Sequence, residues 1–251
     1  MADDLSFSPL RWARGLLPKR WRRDLPVVPV VRLSGAIGVN SPFTQSLTLS
    51  SCAKALEKAF AVKEAPAVAL LLNSPGGAPV QSHLIFQRIR ALAEEKEKHV
   101  FAFVEDVAAS GGYMIACAAD EIFADPCSIV GSIGVVTAGF GFDEAIKRLG
   151  IERRVYTAGE RKVTLDPFCP TRPEDVERLD VLLKELHGVF ADLVRDRRGP
   201  TLTAPDAQVF SGEFWLATQA IGLGLIDGLG DVRSVLKTRY GEDVRLQLVQ
   251  S

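Results

Sequence analysis

The sequence predicts an α/β fold built mainly from parallel strands with crossover helices, followed by a helical C-terminal part. Three observations predict it. Short β-branched or uniformly apolar runs at 27–33, 67–72 and 99–104 alternate with stretches of helical period, the βαβα rhythm of a parallel sheet. The run at 67–72 lacks polar alternation, as a strand covered on both faces requires. The 251 residues, 47% hydrophobic and 24% charged, supply one large core with a short extension to spare.

Taken in order, residues 1–26 stand apart as a basic arm. Arg11, Arg14, Lys19, Arg20, Arg22 and Arg23 fall among Leu10, Trp12, Leu16, Leu17 and Trp21. Such interleaving suits an amphipathic anchor on anionic lipid, and equally a disordered or packed arm with solvated charges. Pro9 and Pro18 limit any helix there. The strand at 27–33 leads to a helix over 43–62, whose apolar residues Leu47, Leu56 and Phe60 fall among polar ones. After the strand at 67–72, Asn73-Ser74-Pro75-Gly76-Gly77 breaks regular structure, and helix returns over 79–98. The strand at 99–104 is followed by a turn feeding a buried helix within 109–119, then a strand at 121–124. A strand is expected at 152–156, a long charged helix from 173 to about 198, a helix near 213–221 and another at 232–240. With no internal repeat and no low-complexity linker, residues 27–251 form a single α/β domain with a helical C-terminal part behind the arm.

Composition excludes several classes. The formal charge of −1 gives no reason to expect nucleic acid. The longest uncharged stretch, 126–142, is too short and too glycine-rich to span a membrane, and no apolar run follows a basic start as in a secretory signal. Cys52, Cys117, Cys127 and Cys169 form no CxxC pair and have no histidine at ligand spacing, so they read as structural thiols of a reducing compartment. No metal and no cofactor are expected.

Chemistry points to the two glycine turns. In a parallel sheet, loops at the carboxyl ends of the strands gather at one edge, where ligands bind. The turn at 73–77 can present backbone N–H groups to a developing oxyanion. The turn Ala108-Ala109-Ser110-Gly111-Gly112 sets a serine between strand and helix with small neighbours, as a nucleophile elbow does. Read alone, Ser110 is a helix N-cap and Pro75-Gly76-Gly77 a plain turn. A serine nucleophile also needs a base. His99 opens the strand that ends before Ser110 and so belongs at the opposite edge; His187, in a charged helix, reads as solvated; His83 alone lies near the first turn. A lysine serves if burial lowers its pKa by about 3–5 units. Lys162 precedes apolar Val163 and Leu165, though by itself it is one lysine of a basic patch with Arg153, Arg154 and Arg161.

Four motifs then carry a resemblance: Asn73-Ser74-Pro75-Gly76-Gly77, Ala109-Ser110-Gly111-Gly112-Tyr113, Gly131-Ser132-Ile133-Gly134-Val135, and Gly159 with Lys162. In this order and spacing they resemble the signal peptide peptidase A family, the S49 serine peptidases of the ClpP/crotonase fold. Val209-Phe210-Ser211-Gly212 and the glycine-rich stretch 222–230 resemble the family's late segment. The resemblance implies Ser110 as nucleophile, Lys162 as general base and Ser132 as the serine that orients the lysine. It implies oxyanion donors at Gly76 and Gly111, with Gly77 and Gly112 beside the substrate. It further implies hydrolysis of hydrophobic peptides, remnant signal peptides among them, by a homo-oligomeric ring or dome in which Lys162 of one subunit serves Ser110 of the next. The basic arm replaces the family's usual membrane anchor, so a cytoplasmic or inner-membrane-surface location is expected. Glu160, which would hold the lysine charged if it pointed inward, is expected to point outward. A crotonase-like acyl-CoA enzyme and a non-catalytic membrane-surface scaffold are the alternatives on the same fold.

Overall fold

The computed structural model describes residues 25–39, 46–159 and 161–250. The basic arm up to residue 24, the start of the helix expected from 43, and the orientation of Glu160 lie outside the described residues.

Three long strands form the centre: β1 (Val27–Ser34), β2 (Ala67–Ser74) and β3 (His99–Ala109). They pair in parallel in sequence order, and β8 (Arg245–Val249) adds in parallel beyond β1. The connections carry helices. In α1 (Leu49–Phe60), Thr48 caps the first turn through a capping box with Ser51, while Cys52, Ala55, Leu56, Ala59 and Phe60 are buried at helical spacing. Pro79, at the first turn, starts α2 (Pro79–Glu95), which buries Ile85, Ile89 and Leu92. These helices and the short, wholly buried α3 (Gly111–Ala116) pack on one face of the sheet. A smaller core on the other face joins Val28, Val30, Ala67, Ala69, Phe101 and Phe103 to Leu236 of α8 (Val232–Tyr240). The alternate residues of β1 to β3 therefore enter two different cores, which is why these runs carry so little polar alternation.

The sheet forks at β3. Its first half, Phe101 to Val104, pairs with β4 (Glu121–Ala124), which pairs in turn with β7 (Gly228–Leu229). Its last residues, Val107 to Ala109, pair with β5 (Ile129–Gly131), which takes β6 (Phe214–Leu216) in antiparallel register. Where β3 changes partner, the carbonyls of Val104 and Glu105 accept from the buried hydroxyl of Ser128. That hydroxyl satisfies backbone groups the divided ladder leaves over.

The remaining helices are α4 (Asp143–Arg148), α5 (Pro173–Arg198), α6 (Asp206–Val209) and α7 (Ala217–Ala220). The C-terminal part of α5 is docked through Phe190, Ala191, Leu193, Val194 and Arg198, and Asp175 is buried in its first turn. The segment from 135 to 172 is largely exposed and α4 buries nothing.

Several expectations need correction. No strand forms at 152–156; those residues are exposed and have no ladder partner, and β-branched residues alone do not make a strand. The helix expected near 213–221 is a strand, β6, followed by the single turn α7, because Trp215 covers Gly131 and ties this segment to β5. The expected helix at 43–62 is α1, from Leu49 to Phe60. All four cysteines are unpaired; Cys52 and Cys117 are buried, their thiols pushed up to about 11 and about 12 by burial, whereas Cys127 and Cys169 are exposed and have no packing role.

At the sheet edge far from the glycine turns, Asp120 accepts from the Val100 N–H (2.9 Å) and from Arg90 (2.8 Å) and Arg197 (3.2 Å). Burial raises its pKa, but the Val100 N–H and the two guanidinium groups outweigh burial and hold it below the ordinary 3.8. Such a group stabilises the fold fully above its unfolded pKa and loses that contribution as pH falls through the native one. Asp120→Ala is expected to lower unfolding stability by about 2–4 kcal/mol at pH 7, since three donors lose a charged acceptor. Urea titrations should show that deficit shrinking as pH falls below about 3.8.

Candidate active site

Three turns meet at the carboxyl edge of the sheet, and each is pinned by backbone. The first follows β2. Ser74 is buried, and its hydroxyl donates to the Gly35 carbonyl (2.7 Å) while accepting from the Gly76 N–H (3.2 Å). Ile37 then brackets Gly77, donating to the Gly76 carbonyl (2.9 Å) and accepting from the Ala78 N–H (2.8 Å). Gly76 has φ 101°, and a Cβ there would stand 2.8 Å from Ser110 Cβ and 2.9 Å from the Gly111 nitrogen. Only glycine permits that approach.

The second turn carries Ser110, at φ 52° and ψ −123°. A non-glycine residue held there stores about 1–3 kcal/mol of strain. The strain is enforced from both sides: the Ser110 N–H donates to the Gly131 carbonyl (2.8 Å), and its carbonyl accepts from Met114 (3.0 Å) to begin α3. Ser110 occupies the N-cap position of α3 yet makes no side-chain capping bond. That separates the two readings of this serine, because a capping serine bonds the helix N–H groups and this one does not. A Cβ on Gly112 would run into the Ser74 carbonyl, so the first two turns touch through backbone.

The third turn follows β5. Ser132 also has positive φ, 53°; its N–H donates to the Glu213 carbonyl (2.6 Å), and its carbonyl accepts from Gly134 (2.9 Å).

These turns border a cavity of about 770 Å³, within the range of ordinary ligand sites. Ser110, Gly111, Gly77 and Ser132 line it, with Met114, Phe190 and Phe210 as apolar walls. The structure thus brings Ser110, Ser132, Gly77 and Gly111 together. Gly112 lies beneath the turn, and Gly76 is not part of the lining. The Gly76 N–H is already bonded to Ser74, whereas those of Gly77 and Gly111 have no acceptor among the described residues. Lys162 is not brought in. It is exposed, in a turn closed by its own N–H to the Gly159 carbonyl (3.2 Å), on the outlying segment 135–172.

Of the histidines, His99 does lie at the far end of β3, 3.0 Å from Glu121. His83 stacks near Phe86 and does not line the cavity. His187 corrects the expectation of a solvated residue: it lines the cavity wall, with Nε2 3.2 Å from the Ile133 carbonyl. Its position was legible in principle. Leu183, His187, Phe190 and Val194 fall at helical spacing on the face that α5 turns inward.

Comparisons with known proteins find a matching family model, several relatives and similar solved structures. The family model described as Peptidase family S49 matches residues 92–244, a span that includes Ser110, Ser132 and Lys162. The Na(+)/H(+) antiporter NhaA of Brucella abortus (strain 2308) is 60% identical over 249 residues, covering 99% of this chain and 34% of that protein. The chloroplastic serine protease SPPA of Arabidopsis thaliana is 30% identical over 225 residues, covering 88% of this chain and 32% of that protein. The chain thus spans about a third of either relative's length, and the antiporter name describes a protein of which the similar part is one third. Among the described residues no helix is long and apolar enough to cross a membrane. A solved structure of the 1510-N membrane-bound stomatin-specific protease, in complex with a substrate peptide, superposes with a TM-score of 0.56 at 17% identity, covering 91% of this chain and 94% of that one. At that identity the likeness establishes the fold, which is ClpP-like.

The backbone approach can be tested directly. Gly76→Ala is expected to cost about 1–3 kcal/mol in urea unfolding, from the crowding and the positive φ. Gly139→Ala, where a Cβ meets nothing within 4 Å, is expected to be near neutral. Equal effects at the two positions would contradict the packing of the first turn against Ser110.

Proposed function

The chain belongs to peptidase family S49, and on that premise we propose that it is a serine endopeptidase using Ser110 as nucleophile and Lys162 as general base. The observation that carries the reading is the Ser110 turn, strained, uncapped and opening on a cavity. The Ser110 hydroxyl attacks a peptide carbonyl as its proton passes to the uncharged amine of Lys162. The carbonyl oxygen, now negative, is received by backbone N–H groups. Gly111 keeps the donor role the resemblance implies. The partner role moves from Gly76 to Gly77, because the Gly76 N–H is occupied and Gly77 is the residue that faces the cavity. The Lys162 ammonium then protonates the leaving amine, and water releases the acyl group from Ser110. Ser132, on the cavity wall, orients the lysine.

The base comes from a second copy of the chain. Within one subunit Lys162 is exposed and outside the cavity. Its segment also exposes Val136, Phe140, Leu149 and Tyr156 at 75% or more, a large apolar surface for a part of the chain with so little core. Docking that segment onto a neighbour in a homo-oligomeric ring would bury these side chains and desolvate the amine, which favours its uncharged form. The substrates are hydrophobic peptides such as remnant signal peptides, received by Met114, Phe190 and Phe210. Action at the cytoplasmic face of a membrane completes the proposal, supported by the interleaved Arg, Trp and Leu of residues 10–23.

Ser110→Ala and Lys162→Ala are each expected to reduce hydrolysis of an apolar peptide by at least about 10³-fold. Co-expressed in equal amounts, the two inactive chains should regain about a quarter of wild-type activity, since one interface in four then pairs an intact serine with an intact lysine. Recovery of nothing would contradict a base supplied across the interface. Full activity of either single variant would contradict the dyad itself.

A further inference from the structure

His187 is the one histidine on the cavity wall, and the hydrolytic scheme above does not use it. Its imidazole reaches across 54 residues of sequence to the Ile133 carbonyl, at 3.2 Å. A carbonyl only accepts, so Nε2 is the protonated nitrogen of this bond. Ile133 directly follows Ser132, and its side chain is fully buried, so the turn has a fixed foot in the core.

The turn needs restraint. Ser132 sits at φ 53°, a conformation a non-glycine residue keeps only when its surroundings over-determine it. Three bonds do so: the Ser132 N–H to Glu213, the Gly134 N–H to Ser132, and His187 to Ile133. The first two are backbone bonds. The third is a side-chain tie, and it comes from α5 at the point where the docked part of that helix begins. Phe190, Ala191, Leu193 and Val194 beyond it are buried, while Val181, Leu182, Leu186 and Val189 around it are exposed.

We infer that His187 is a positioning residue for the Ser132 turn, fastening α5 to the backbone beside Ser132 and so setting where the Ser132 hydroxyl stands in the cavity. The inference rests on the reading of Ser110 and Ser132 as parts of one hydrolytic site. On this account the imidazole matters through its Nε2–H. Glutamine, whose amide nitrogen stands in for Nε2, should serve in its place, and leucine, of similar bulk without a donor, should not.

The test measures the rate at which a small serine-directed phosphonate modifies Ser110 in the native protein, for wild type, His187→Leu and His187→Gln, with peptide hydrolysis and thermal midpoints alongside. The reagent is small, so a wall residue that only contacts peptide would leave its rate unchanged. His187→Leu is expected to slow modification and to lower kcat by about three- to tenfold, the effect of one lost hydrogen bond, and His187→Gln to restore most of both. Modification of His187→Leu at the wild-type rate overturns the inference, even if KM for peptide rises. So does an equal loss in both variants accompanied by a lowered thermal midpoint, which would mark a packing role. If wild type itself is not modified at Ser110, it is the hydrolytic reading that fails, and the two failures are told apart.

Discussion

The site depends on backbone touching backbone. The turn after β2 and the turn after β3 meet without side chains between them: Gly76 lies against Ser110, and Gly112 against the Ser74 carbonyl. A side chain at either glycine would part the turns, and with them the N–H groups of Gly77 and Gly111 from the Ser110 hydroxyl. The buried Ser74 hydroxyl holds the arrangement from beneath by bonding Gly35 and Gly76 together. The ladder between β2 and β3 shifts register between Leu72 and Ser74, which lets β3 run on to Ala109 and deliver Ser110 opposite the first turn.

Strain at Ser110 is affordable only on a rigid base, and the fork in β3 supplies one. One branch, through β4 and β7, leads to the far edge, where Asp120 gathers Arg90 and Arg197 and where Arg198 pairs with Asp227 at 2.8 Å. The other branch, through β5 and β6, runs beneath the site and ends in the Ser132 turn. The same strand thus ties the stabilising edge to the reactive one. Tyr113, one turn into the buried helix behind Ser110, donates to the Leu225 carbonyl at 2.7 Å and secures that helix to the segment beyond α7. Beyond this body, residues 135–172 have almost no core of their own.

Much of this was legible in the sequence, for physical reasons that also mark where legibility ended. The strand at 121–124 and the helices at 173–198 and 232–240 stand where periodicity and helix boundaries placed them. Pro173 starts α5, and Asp231 caps α8. The strands β5 to β8 are two to five residues long, too short to show a period, and exist because neighbours pair with them. The reverse holds at 152–156, where strand-forming residues find no partner. Within the site, spacing located the three turns but not the fate of individual N–H groups: the choice between Gly76 and Gly77 turns on where the Ser74 hydroxyl points. The charges along α5 obscure the place of His187, which follows instead from the inward face that Phe190 and Val194 define.

The account's central claim is that the Ser110 turn presents an activated hydroxyl. It is tested most directly by treating the folded protein with a serine-directed phosphonate and mapping the adduct by mass spectrometry. The account predicts a single modified residue, Ser110. An adduct on another serine, or peptide hydrolysis that persists in protein showing no adduct at Ser110, would contradict it.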